Sequence, residues 1–250
     1  MLLLSYYSVP TISKNSVTLA LGLVILCLTA SASRAGDGFV DFNFYPELME
    51  VNTDSVYTVN AFVKLPARLS YFSLTNFNNA DPSKELSDRF TYYTEQNLRW
   101  AMREDLPLDL TVQHNLRSGS ENDRLRLGVR WRLNSTSAWK EFFESMHLSY
   151  SINFHMLQLD HEDAYVWQME HVFRKTFPNL SDRLYLAGFV DHTFNQNLPN
   201  SYPAAPIVGE AQMGYCLTEG LHLITEYRVN QYRRANTINL AFGVQYVYEW

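Results

Sequence analysis

Residues 124–133 read Arg-Leu-Arg-Leu-Gly-Val-Arg-Trp-Arg-Leu. A helix would scatter the four arginines around its circumference. A strand sends successive side chains to opposite faces, so Leu125, Leu127, Val129, Trp131 and Leu133 share one face, while Arg124, Arg126, Arg130 and Arg132 share the other. One ribbon thus presents a wholly apolar surface and a cationic one. It must lie between an oily environment and a wet one.

The same two-residue alternation recurs along the chain. Leu108, Leu110, Val112 and Leu116 oppose Asp109, Thr111, Gln113 and Asn115. Leu148, Tyr150, Ile152, Phe154 and Met156 oppose His147, Ser149, Ser151, Asn153 and His155. Tyr165, Trp167, Met169 and Phe173 oppose Gln168, Glu170 and Arg174. Further strands are expected near 39–46, 55–64, 68–76, 90–102, 183–195, 207–217, 221–231 and 236–250, about twelve in all. With the N-terminus on the periplasmic side, the outer loops fall near 47–54, 77–89, 117–123, 157–163, 196–206 and 232–235. The inner turns fall near 65–67, 103–107, 134–145, 175–182 and 218–220. Short turns on one side and longer Asn/Pro/Ser-rich loops on the other suit a membrane barrel. The exception is 134–145, where Trp139, Phe142 and Phe143 predict a short interfacial helix.

The N-terminus reads as an export signal. Lys14 is its one early charge, the run Val17–Ala30 carries none, and small residues follow, with cleavage after Ala32 or Ala35. That run is shorter than the roughly 20 residues a spanning helix needs. The expected division is a signal peptide over 1–35 and a barrel over 36–250. Removing the signal takes Lys14 and Arg34 from the 20 basic residues of the chain and none of its 26 acids, leaving −8. That charge argues against a nucleic-acid partner. Cys216 is then the remaining cysteine, so no intrachain disulfide is expected.

Alternation alone does not say which face is outside. Size decides it: about twelve strands, each with four to six large apolar side chains, would overfill any lumen that such a barrel encloses. The apolar face therefore meets lipid. Aromatics near strand ends (Tyr92, Trp100, Trp131, Tyr165, Phe173) suit interfacial girdles, and closure leaves no unpaired edge in hydrocarbon. The fold class expected is all-β, a closed antiparallel transmembrane barrel in the outer membrane of a Gram-negative bacterium.

The last strand places Phe242, Val244, Tyr246, Tyr248 and Trp250 on alternate positions. This resembles the C-terminal signature of Gram-negative outer-membrane barrels, which implies that Tyr246, Tyr248 and Trp250 serve as the signal to the barrel-assembly machinery. The segment Asn52-Thr53-Asp54-Ser55-Val56-Tyr57-Thr58-Val59-Asn60-Ala61-Phe62-Val63-Lys64 resembles the second strand of the Tsx-like nucleoside-specific channels, with its Asn-Asp start and Ala-Phe-x-Lys ending. Arg68-Leu69-Ser70-Tyr71-Phe72 and the Asn-rich loop continue the likeness. The resemblance implies a narrow twelve-stranded channel for diffusion of nucleosides. The first strand, Phe39 to Tyr45, lacks a recognisable form of that family's substrate-contacting pattern.

The expected lumen face carries Tyr93, Glu95, Arg99, Arg124, Arg126, Arg130, Arg132, Glu170, Arg174, Tyr185, Phe189, Asp191, Glu226 and Arg228, with Glu210 and Glu249. Arginine cannot shed its proton, so these cations must meet acids across the lumen, water or a passing anion. Two uses follow: cross-lumen salt bridges that rigidify or plug the barrel, or a transverse field that orients polar solutes and sets ion preference. Inward Tyr93, Tyr185 and Phe189 are suited either to stacking on a base or to plain filling.

Enzymatic signals are weak. Outer-membrane phospholipase A, also a twelve-stranded barrel, resembles a lipid-facing His followed two residues later by a Ser with Asn nearby. Here Leu116 follows His114, and Ser118, Ser120 and Asn122 come only in the loop. No catalytic residue, cofactor or metal site is assigned: His147 and His155 are about 26 Å apart along a strand, and Asp160-His161-Glu162-Asp163 reads as a solvated loop. The expected function is a monomeric channel for small polar solutes, with nucleosides favoured. The alternative is a non-conducting barrel whose loops 77–89 and 196–206 bind a partner; a lipid-modifying enzyme ranks below both.

Overall fold

The computed structural model describes residues 36–79, 91–118, 123–159 and 165–250. The expected signal peptide, the acidic segment 160–163, and Ser120 and Asn122 lie outside them. Twelve strands are described: β1 (Gly38–Leu48), β2 (Ser55–Leu65), β3 (Leu69–Asn78), β4 (Tyr92–Ala101), β5 (Leu108–Arg117), β6 (Arg124–Arg132), β7 (Leu148–Leu159), β8 (Trp167–Phe177), β9 (Ser181–Phe194), β10 (Ile207–Thr218), β11 (Leu221–Asn230) and β12 (Ile238–Glu249). Each pairs antiparallel with its sequence neighbours, and β1 pairs with β12, closing the sheet into a barrel. Helix α1 (Lys140–Ser145) lies between β6 and β7. Among the described residues no helix is long and apolar enough to cross a membrane; the strands do so instead.

Burial is inverted relative to a water-soluble protein. On β5, Gln113 and Asn115 are fully buried while Val112, between Gln113 and Thr111, is 40% exposed. Asn43, Asn97, Asn153 and Asn239 are also sequestered, whereas Leu98, Leu110, Leu223, Phe242 and Tyr246 face outward. A belt of large apolar side chains around a closed sheet is stable only in hydrocarbon, where every backbone group finds its partner within the barrel. The chain is a multi-pass outer-membrane β-barrel.

The seam depends on the last residue. Gly38 N–H donates to the Trp250 carbonyl, and Trp250 N–H donates back to that of Gly38, both at 3.1 Å. A Cβ at position 38 would lie 2.6 Å from the indole and 2.7 Å from the Phe62 carbonyl oxygen, so glycine makes room for the ring. At the same rim, Trp139 packs on Trp131 and Phe143 stacks on Tyr150, which seats α1 against the barrel wall as expected from its aromatics.

Several boundaries differ from expectation. β7 runs on to Leu159 rather than ending at 156, through a bulge that pairs Leu127 with Leu157 and the next residue, Gly128, with His155. Met156 and Leu157 both face outward there, and Gln158 returns to the lumen. A bulge adds one residue to one strand and so resets its alternation. β8 and β9 leave only residues 178–180 between them, instead of 175–182. Tyr165 precedes β8 and is 86% exposed.

Candidate functional site: the charged lumen

The inward faces enclose a cavity of about 1070 Å³ that runs from Asp54 at the outer rim to Phe39 and Tyr185 near the inner ends of β1 and β9. Near the outer rim, the loop between β1 and β2 is tied into the mouth. Asn239 on β12 accepts from the backbone amides of Glu50 (3.0 Å) and Val51 (3.4 Å) and donates to Asp54 at 2.9 Å. Asp54 also meets Arg233 at 3.1 Å and Arg228 at 3.7 Å. Burial works to raise its carboxyl, but Arg228, Asn239 and Arg233 together outweigh it and hold the group below the usual Asp range. Arg228 is itself clamped: it donates to Glu226 at 2.6 Å and to the Ser55 carbonyl at 2.7 Å, and its guanidinium lies 4.5 Å from the Tyr45 ring centre. Tyr45 sits at the β1 bulge and donates to Glu226 and, at 3.2 Å, to Gln212.

Lower down, one wall is cationic. On β6, Arg126 donates to Gln158 (2.9 Å) and Gln113 (2.8 Å), both neutral. Arg130 and Arg132 converge on Asp109 of the adjacent strand β5, Arg130 donating at 2.7 Å and Arg132 lying at 3.4 Å. The other carboxylates are engaged by amides and hydroxyls. Glu95 accepts from Asn97, Tyr93 and Asn115; Glu170 accepts from Asn153 and lies 3.6 Å from His155. Asp191 is in register with Glu170, and one of its oxygens lacks a partner among the described residues. Asp41 accepts from Asn43 and Asn60.

Four arginines lie over inward aromatic rings: Arg117 on Tyr93 (5.2 Å), Arg174 on Tyr185 (4.3 Å), Arg228 on Tyr45 and Arg99 on Phe72 (5.6 Å). The ring quadrupole attracts each cation without neutralising it. Toward the inner rim, Tyr185 donates to Gln245 and accepts from Gln212 (2.6 Å), a bridge from β9 to β12. Arg99 is buried, and its Nε has no hydrogen-bond partner among the described residues. Chemically, the arrangement can hold a polar solute between planar cations and carbonyl-rich amides.

No family model and no curated protein matches the chain. Solved structures do. The KdgM porin is 12% identical with a TM-score of 0.48, over 84% of this chain and 98% of that one. The NanC porin is 11% identical at 0.48, with the same coverage. Outer membrane phospholipase A from Escherichia coli is 10% identical at 0.46, over 84% of this chain and 95% of that one. These are low-identity likenesses, and they assign neither cargo nor chemistry to this chain.

Of the residues expected in the lumen, Tyr93, Glu95, Arg99, Arg124, Arg126 and Glu170 line the cavity, as do Arg174, Tyr185, Phe189, Asp191, Glu210 and Glu226. Arg130 and Arg132 are drawn into the wall by Asp109, and Arg228 is held behind Glu226; none of the three is among the cavity-lining residues. Arg130, Arg132 and Arg228 do not find their acids across the lumen. Their partners are on adjacent strands, on the same strand or on the rim loop, because lateral neighbours in a sheet are closer than the far wall. Capping also changes the roles of Tyr93 and Tyr185, one face of each now being taken by a guanidinium. Among the described residues no arginine lies over Phe189, which also lines the cavity. The residues left out of the expected lumen set are mostly uncharged: Asp41, Asn43, Tyr45, Asn60, Gln113, Gln158, Gln212 and Gln245. For the inward positions of β5 and β12 the alternation was already visible; β1 and β3 are too irregular for it. Among the described residues no cluster of metal-ligating side chains occurs.

Proposed function

We propose that this protein is a channel through which small polar solutes diffuse, with nucleosides as the favoured cargo. One observation carries the reading: a polar cavity in which guanidiniums lie over aromatic rings, among carboxylates held by amides. A neutral solute with a planar base and several hydroxyls matches that lining. Its base stacks on guanidinium or on Phe189, and its sugar exchanges hydrogen bonds with Asn and Gln side chains. Carrying no net charge, it is not trapped by either wall. The Tsx-like segment supplies Thr58 and Asn60 of β2 to the same lining, which supports the nucleoside reading. The proposal includes no catalysis.

Purified protein in a planar bilayer is expected to conduct. Nucleosides should lower the current more than monosaccharides or amino acids of similar size. Equal block by all three would remove the nucleoside preference. Absence of conductance would favour the second reading, a plugged barrel that binds partners through its outer loops, which the Tyr185–Gln245 bridge supports.

A further inference from the structure

The outer wall carries a polar island in the middle of its apolar belt. Among the outward residues of β4, Tyr92 lies at the outer rim, Trp100 at the inner rim and Gln96 midway between. Gln96 is in register with Ser73 of β3 on one side and His114 of β5 on the other. One step outward, Thr94 faces Thr75, their hydroxyls 2.8 Å apart. Gln96 donates to Thr94 at 2.6 Å and accepts from Tyr71. His114 is exposed on the outer face, and among the described residues no hydrogen bond reaches its imidazole.

Hydrocarbon offers the His114 imidazole no hydrogen-bond partner, and lipid headgroups lie well away from mid-depth. An ionisable side chain placed there marks a contact with another polar surface inside the membrane. We propose that this surface is the same island on a second copy of the chain. Two copies share one orientation and one depth, so a half-turn about the membrane normal brings the island against itself at a matching level. Imidazole and carboxamide each both donate and accept. Standing side by side on one row, His114 and Gln96 are met by the inverted pair on the partner. Ala61 and Ser73, in register beside them, are small enough to let the walls approach closely. The proposal departs from the monomer that the sequence reading expects. The inference does not rest on the channel reading, since the lumen lies on the other face of these strands.

Cysteines test it, with Cys216 replaced by alanine. Leu98→Cys lies on β4 beside Gln96, and Met213→Cys lies on β10, across the barrel; both native side chains are exposed. In native membranes a short thiol–thiol cross-linker should join Leu98→Cys copies into a dimer and leave Met213→Cys as monomer. Adding Gln96→Leu and His114→Leu should lower the dimer yield roughly tenfold, the worth of a few hydrogen bonds within a membrane. Heat-modifiable mobility on a gel then shows that the barrel has still folded. Equal cross-linking at the two sites, a main product containing a different protein, or a yield unchanged by the leucines would overturn the proposal.

Discussion

Asp54 ends the loop between β1 and β2 just before Ser55 opens β2, and its two oxygens serve Asn239, Arg233, Arg228 and the Ser55 amide. Because its folded carboxyl titrates below the ordinary value of about 3.9, its contribution is complete above that value. It is lost only as pH falls through the depressed one. Hydrogen exchange at the Glu50 and Val51 amides, both held by Asn239, should therefore quicken only in strong acid. In Asp54→Asn the loop should be looser at neutral pH by about 2 kcal/mol, the size of a charged hydrogen bond, giving roughly thirtyfold faster exchange. The acid step in exchange should then be absent. Unchanged exchange at pH 7 would mean that Asn239 alone secures the loop. At this scale the sequence was least legible. Asp54 stood out only as part of a family-like segment, and nothing in its spacing pointed to Arg228, which lies far along the chain.

Among elements, the β1–β12 seam is the weak point, since it joins the two ends of the barrel segment and is the most non-local pairing in the sheet. Its innermost rung is Gly38 with Trp250, and the indole fills the space above the glycine. Trp250→Ala keeps the backbone rung and removes the ring. With Trp250 already 38% exposed, the expected loss is about 1–2 kcal/mol of apolar contact, seen as less folded barrel in outer membranes with secretion unaffected. A normal yield of heat-modifiable barrel would show the ring to be dispensable. β7 illustrates the limit of pattern reading for elements. Met156-Leu157 breaks strict alternation, which reads as a strand end, yet the sheet absorbs the extra residue as a bulge and continues to Leu159. A bulge depends on what the partner strand can match, and that information is not local.

For the whole molecule the consequence is the field inside the barrel. Among the described residues Arg126 hydrogen-bonds to the neutral Gln113 and Gln158, and it lines the cavity, whereas Arg130 is paired with Asp109 and is not among the lining residues. Charge reversal should therefore act differently at the two sites. Arg126→Glu alters two units of charge; at about 8 Å from an ion in water this is worth about 1 kcal/mol, or roughly a fivefold shift of the permeability ratio toward cations, read from the reversal potential in a salt gradient. Arg130→Glu sets a carboxylate beside Asp109 and should instead lower thermal stability with little change in selectivity. An unmoved reversal potential in Arg126→Glu would place that arginine outside the permeation path.

Strand number, the lipid-facing side of the regularly alternating strands and the placement of arginines on the inner face followed from the chain alone, because side-chain direction in a strand repeats every two residues and needs no partner to be read. What the tertiary structure decided is who meets whom. Sliding any strand by two residues leaves every face unchanged and replaces every neighbour, so register was invisible in the alternation. Only the paired sheet set Arg130 beside Asp109, laid Arg174 over Tyr185, and gathered Ser73, Gln96 and His114 into one row on the outer wall.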